Sequence, residues 1–245
     1  MRYKFLIFIT LLFPIVSCKK ESMCDCLKST GSTNVIYRDV KDFNCIYLTD
    51  KMDLYLTQGT TYEVRVEAGE NLQSLIKTEL YGETLKVFNS NRCNWVRGYK
   101  HKIKVFVTAP YFKYLKNGGL GVIESLNTIY QDTISLRIEN SGDFKLDVNC
   151  YRVISSAHGN GDLYLKGQTN LLESYYYGTN YLYANNLKVN SYVFLSSNSL
   201  GHAHINAPEN GLMDIRINRA GNVYYKGNPN TINLTRNGKG NLIKE

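Results

Sequence analysis

The chain has 245 residues, 29 Lys and Arg against 21 Asp and Glu, and a formal net charge of +8. That length suits one large domain or two small ones and supports a sizeable core. A basic balance suits anionic polymers, but no Lys/Arg cluster interleaves with aromatics, so no nucleic-acid partner is expected. With 19 Gly and 20 Tyr against 4 Pro, the composition favours strands joined by Gly and Asn turns.

In chain order, the first segment is an export signal. Arg2 and Lys4 precede an uncharged run from Phe5 to Ser17, too short for the roughly 20 residues of a membrane-spanning helix. Its end, IVSC, resembles a bacterial lipobox, which makes Cys18 the expected site of acylation and the mature N-terminus. Lys19 and Lys20 follow without an Asp, which resembles outer-membrane sorting. Loss of Arg2 and Lys4 lowers the formal charge from +8 to +6. Residues 18–37 are polar and read as a tether, so the predicted layout is signal 1–17, tether 18–37 and one domain over 38–245.

Residues 38–115 alternate with period two at Leu54-Tyr55-Leu56, Tyr62 to Val66 and Ile103 to Val107. They read as larger, less regular strands capping the core. The best helix candidate is GENLQSLIKT, Gly69 to Thr78. Five cysteines follow Cys18: Cys24, Cys26, Cys45, Cys93 and Cys150. Their spacing is a weak match to zinc sites, so no metal and no cofactor are expected. An exported chain keeps disulfides, and Cys93 is expected to pair with Cys24, Cys26 or Cys45.

From about residue 116 the chain repeats. Gly-x-Gly, in degenerate form, returns at 119–121, 140–142, 159–161, 178–180, 199–201, 219–221 and 238–240. The third positions are Gly121, Gly142, Gly161, Asn180, Gly201, Gly221 and Gly240, spaced by 21, 19, 19, 21, 20 and 19 residues. Gly and Asn are the residues that readily take positive φ, so each third position is expected to be a turn held by that backbone state. Both flanks alternate, as in Phe144/Leu146, Leu163/Leu165 and Leu182/Ala184 after the turn, or Leu195/Val193, Ile215/Met213 and Leu234/Ile232 before it. A second turn closes each repeat, for example at Gly167–Asn170, Ala207–Asn210 and Gly227–Asn230. The predicted fold is all-β: a parallel β-helix-like superhelix with coils of about 20 residues, stacked roughly 4.8 Å apart, and an irregular N-terminal β cap. Calcium nonapeptides need a nine-residue period, and phosphate loops open helices. Neither matches.

Several stretches resemble the GIN-domain group of exported bacterial proteins, described as adhesin heads: CDCLKSTG at 24–31, RDVKDF at 38–43, VEAGENL at 66–72, NRCNWVRGYK at 91–100 and GNVYYKGNP at 221–229. The resemblance covers nearly all the mature chain. It implies a β-superhelix akin to pectin-lyase folds, a Bacteroidetes-type envelope lipoprotein and a role in adhesion. It implies no catalytic residues. Asn180 and Arg219 depart from its preference for Gly.

Outward positions follow from the inward ones. Lys145, Tyr164, Tyr183, His204 and Tyr224 stand three residues past their triplets and are expected to stack coil on coil. Tyr181 and His202 extend the strip. Tyr164, Tyr181, Tyr183, His204 and Tyr224 are therefore the candidate ligand residues, because sugar rings pack their C–H faces on aromatic faces. Stacked aromatics also stabilise a regular sheet without any ligand. Asp143 and Asp162 stack on adjacent coils, but no third acid joins them, so they read as turn residues rather than a catalytic pair. The function expected is a non-catalytic envelope lipoprotein, tied to the membrane by lipid and binding a polysaccharide or cell-surface glycan. The alternatives are a carbohydrate-active enzyme on a β-helix scaffold and a structural envelope protein with no small ligand.

Overall fold

A computed structural model describes residues 29–91 and 102–245. The export segment, Cys18, Cys24, Cys26 and Cys93 lie outside these residues, and so does any pairing of Cys93. Cys45 is a free thiol, donating to Asn44 Oδ1 at 3.1 Å. Cys150 is buried, and burial pushes its thiol up to about 11.

The described chain is all-β. A first group of strands comprises β1 (Thr33–Arg38), β2 (Cys45–Leu48), β3 (Asp53–Gln58), β4 (Glu63–Gly69), β5 (Ile76–Tyr81), β6 (Thr84–Asn89) and β7 (Lys104–Ala109). Then come β8 (Tyr114–Asn117), β9 (Ile123–Ser125), β10 (Ile129–Ile138), β11 (Phe144–Ala157), β12 (Leu163–Gly178) and β13 (Leu182–Ser199). The chain closes with β14 (Ala203–Asn206), β15 (Leu212–Ile217), β16 (Val223–Lys226), β17 (Thr231–Arg236) and β18 (Leu242–Lys244). Only β1–β4, β4–β7 and β5–β6 are antiparallel. All other pairings are parallel and build two walls of a β-solenoid of about seven turns. One wall runs β6, β2, β8, β10, β11, β12, β13, β15, β17; the other runs β7, β3, β9, β11, β12, β13, β14, β16, β18. Strands β11, β12 and β13 serve both walls because each runs unbroken from one triplet to the next, bending between the walls.

Period-two alternation becomes two internal ladders. Ile123, Phe144, Leu163, Leu182, Ala203 and Val223 lie in one register row, all buried. Val153, Leu172, Val193 and Met213 form a row on the other wall. Ser155 and Ser174 interrupt the wall's neighbouring row and satisfy one another at 2.7 Å, as buried hydroxyls must. Ile232 and Leu234 continue these rows in register, yet they are 39% and 47% exposed. Among the described residues, strand β17 pairs only with β15, which leaves these side chains uncovered on that edge.

Three expectations are corrected. The tether does not run to residue 37, because Thr33–Arg38 pairs along its length with β4. Residues 69–78 are not a helix. Strand β4 ends at Gly69, and a single 3-10 turn at Gln73–Leu75 carries the chain into β5. Leu72, Gln73 and Ile76 are buried there. The Gln73 amide donates to Asn34 Oδ1 and Val66 O, and Arg38 donates to Gln73 Oε1. Tertiary contacts override the local helical pattern.

The third correction concerns the triplets. Each lies at a break between strands, but none of the seven third positions has positive φ. Left-handed backbone sits elsewhere, at Gly178 and in the second turn at Gly167, Asn210 and Gly227. What requires glycine at the third position is close approach. A Cβ on Gly161 would lie 2.1 Å from Gly142 O, the equivalent residue one coil earlier. Asn180 is the exception, and its amide donates to Gly159 O and Tyr177 O while Gly178 beside it takes φ +107.

Candidate functional site

Parallel, in-register pairing places equivalent residues of successive coils one above another. On the outer face of the wall that ends in β14, β16 and β18, one row reads Phe106, Tyr55, Glu124, Lys145, Tyr164, Tyr183, His204, Tyr224 and Ile243. The aromatic side chains stack as the spacing predicts. Ring centroids are 4.7 Å apart for Tyr164–Tyr183, 5.8 Å for Tyr183–His204 and 4.8 Å for His204–Tyr224, with interplanar angles of 9° or less. Tyr181 stacks on Tyr183 from the side, and His202 meets Tyr181 and Tyr224 edge-on.

This stacking corrects the sugar-platform expectation. Parallel rings cover each other's faces and present edges to solvent. The sequence row supplies aromatic residues but not the direction they face. Tyr183 and His204 have neighbours on both sides, so neither offers a face. Tyr164 ends the stack and keeps one face, toward Lys145, whose Nζ stands 5.8 Å from the ring centroid. A second, short stack of Tyr55 on Phe106 (5.1 Å) is covered by Arg65, 4.1 Å from the Phe106 ring.

Between the two stacks the row carries Glu124 and Lys145, and a cleft of about 600 Å³ runs from Glu124 past Lys145 and Tyr164 to Asn186. Its lining includes Glu124, Lys145, Tyr164, Tyr183, Asn185 and Asn186. Ligand sites commonly have volumes of about 300–1,000 Å³. Of the five candidates, Tyr164 and Tyr183 line the cleft, while Tyr181, His204 and Tyr224 do not. Sequence reasoning missed Glu124, Asn185 and Asn186. Asn185 and Asn186 are placed by a register shift: Tyr164 pairs with Tyr183, but Lys166 pairs with Asn186, so β13 carries an extra residue there. Such bulges re-aim side chains and are frequent beside functional sites. A second shift lies between Thr169 and Leu171. Together they account for the 21-residue spacing from Asn180 to Gly201 against 19 from Gly161 to Asn180, and that irregularity was the available signal.

Asp143 and Asp162 do brace the turns. Asp162 N–H donates to Asp143 Oδ1 and Tyr181 N–H to Asp162 Oδ1, each at 2.8 Å. Later coils repeat the device: Asn222 N–H donates to His202 Nδ1 at 3.0 Å and Asn241 N–H to Asn222 Oδ1 at 2.9 Å. That nitrogen of His202 is thereby occupied. Among the described residues, no group of three or more His, Cys, Asp or Glu side chains could hold a metal.

Burial, followed by the Asp143 charge, holds the Asp162 carboxyl above its ordinary value of 3.8. The folded state therefore binds that proton more tightly than the unfolded one. This contribution to stability is fully present below 3.8 and is lost as pH rises through the folded value. Asn already fills the equivalent position at 222, where its Nδ2 meets Tyr224 Oη as Tyr164 Oη meets Asp162. Asp162→Asn is thus expected to melt above wild type at neutral pH, with the gain shrinking as pH falls toward 3.8. Asp162→Ala leaves the Tyr181 N–H unpaired and is expected to cost about 1–3 kcal/mol. Thermal melts across pH check both.

Comparison with known proteins agrees with the geometry. Residues 42–229 match the family model described as "Putative auto-transporter adhesin, head GIN domain". A solved "putative adhesin" from Bacteroides fragilis is 26% identical, covering 87% of this chain and 97% of that one, with TM-score 0.79. At 18% identity, a "putative adhesin" from Parabacteroides distasonis shares the fold, covering 88% of this chain and 98% of that one with TM-score 0.65. A "putative lipid binding protein" from the same organism shares the fold at 17% identity and TM-score 0.65, covering 89% and 98%. None of these descriptions names an enzyme, and no curated protein matches. A solenoid built on this repeat, matched over most of its length by that model, belongs to the GIN-domain family of adhesin heads.

Proposed function

We propose that the protein is a non-catalytic, lipid-anchored adhesin of the cell envelope, probing glycans through the cleft between Glu124 and Tyr164. The observation that carries this reading is the cleft itself: the Tyr164 face that no second ring covers, with Lys145 5.8 Å from its centroid, beside further polar side chains. The paired acids that an enzyme reading needs are engaged with backbone N–H groups instead. Acylation of Cys18 supplies the anchor, and adhesin relatives suit an exposed location.

The test is a glycan array probed with full-length protein and with Tyr164→Ala. Loss of the wild-type hits in the variant, with an unchanged melting temperature, is the expected result. An array with no hits, or hits indifferent to Tyr164, would sink the glycan reading. Cys18→Ala is expected to leave an unprocessed or soluble product in detergent partitioning, and unchanged membrane association would remove the lipid anchor.

A further inference from the structure

We propose that the cleft reads the terminal residue of a glycan end-on: one neutral pyranose ring with adjacent free hydroxyls, not a chain laid along the solenoid. This rests on the glycan reading above and names what the site takes.

The argument begins with ring spacing. Carbon atoms in contact sit about 3.5–4.0 Å apart, so a sugar inserted between two aromatic rings needs them about 7–8 Å apart. The rings from Tyr164 to Tyr224 are 4.7–5.8 Å apart and admit nothing. In the other direction, Glu124 and Lys145 separate Tyr164 from Tyr55, and Tyr55 already packs on Phe106. The platform is therefore one ring wide. Within the cleft, a polysaccharide lying along the axis would find the Tyr164 face and then ring edges.

Polar groups around that face complete the case. Elsewhere on the solenoid, exposed amides bond from coil to coil, as Gln168 does to Asn149, Asn190 to Asn170 and Asn237 to Asn218. Asn185 and Asn186 do not. Among the described residues, neither their side chains nor that of Glu124 makes a hydrogen bond or ion pair, and the Lys145 side chain has only its contact with Tyr164. Glu124 and Lys145 are register partners on β9 and β11. The set offers two carboxylate acceptors, an ammonium donor and two amides that both donate and accept. Adjacent hydroxyls satisfy it, donating to the two oxygens of Glu124 and accepting from Lys145 and the amides. An acidic sugar would meet Glu124, and an amino sugar with a free ammonium would meet Lys145. A neutral ring meets neither conflict.

The experiment uses full-length protein, the methyl glycosides of the common neutral hexoses, and oligosaccharides of increasing length built from them. Array hits are expected to share a terminal neutral sugar. Its methyl glycoside should compete completely, and affinity should stay flat as the chain lengthens. Glu124→Gln is expected to weaken binding about tenfold, as loss of a charged acceptor does. Tyr224→Ala, at the far end of the stack, should leave binding unchanged. Affinity that climbs with chain length without monosaccharide competition, or hits confined to acidic glycans, overturns this inference and spares the glycan reading. An absence of binding to any glycan overturns both.

Discussion

Phe144→Ala is expected to cost about 3–5 kcal/mol, the usual range for emptying a buried phenylalanine site. Phe144 is fully buried, in the internal row between Ile123 and Leu163. It also sits where the N-terminal group joins the regular coils through β9. Collapse around the void is hindered because each neighbour is pinned by ladder hydrogen bonds on both sides. A total stability of roughly 5–15 kcal/mol makes this a large fraction. The contrasting variant is Leu234→Ala, an apolar residue in an inward row of the other wall but 47% exposed, expected to cost less than about 1 kcal/mol. Urea denaturation at neutral pH checks the pair. Equal losses would mean that the last coil is covered in solution.

Gly161→Ala is expected to cost about 1–3 kcal/mol, in the range for overpacking. The new Cβ would lie 2.1 Å from Gly142 O and 2.8 Å from Gly142 C, so backbone has to move. This result discriminates between two reasons for glycine. If backbone freedom were the reason, Asn would be tolerated, since it visits positive φ with little strain. Close approach predicts the reverse, with Gly161→Asn at least as costly as alanine. Asn160, the exposed middle residue, accepts only from Thr179 Oγ1 at 2.8 Å, and its replacement by Ala should stay within about 0.5 kcal/mol. Denaturant midpoints for the three variants separate the accounts.

That case also marks where the sequence stops being legible. Glycine repeated every 20 residues shows where the turns fall, because the apolar alternation on either side fixes the walls. It does not say whether the missing Cβ serves φ or contact. The seven triplets break the strands where expected, and the inward rows through Phe144, Leu163 and Leu182 were readable from parity alone. Strand β1 was not, because its polar residues are mostly exposed and its order comes from partners on β4, distant in sequence. The 3-10 turn at Gln73 depends on Arg38 and Asn34 for the same reason. For the site, stacking of Tyr164 on Tyr183 was readable from the register. Which faces the rings cover was not, since parity gives the direction of Cβ and not the plane of a ring. The wall made by Asn185 and Asn186 was within reach, through the two additional residues in that repeat.

The unbroken strands β11 to β13 have a mechanical consequence. Given the N-terminal anchor and the ligand at Tyr164 proposed above, tension would pass through the N-terminal strands and the coils as far as β13. Coils from β14 onward lie off that load path. They are free to fray from the exposed β17 edge without loosening the grip, since each coil depends chiefly on its immediate neighbours. The loaded part is the part reinforced by antiparallel pairing of β4 with β1 and β7 and by strands that round the corner without a break. Under shear, the head would hold by its base and shed from its tip.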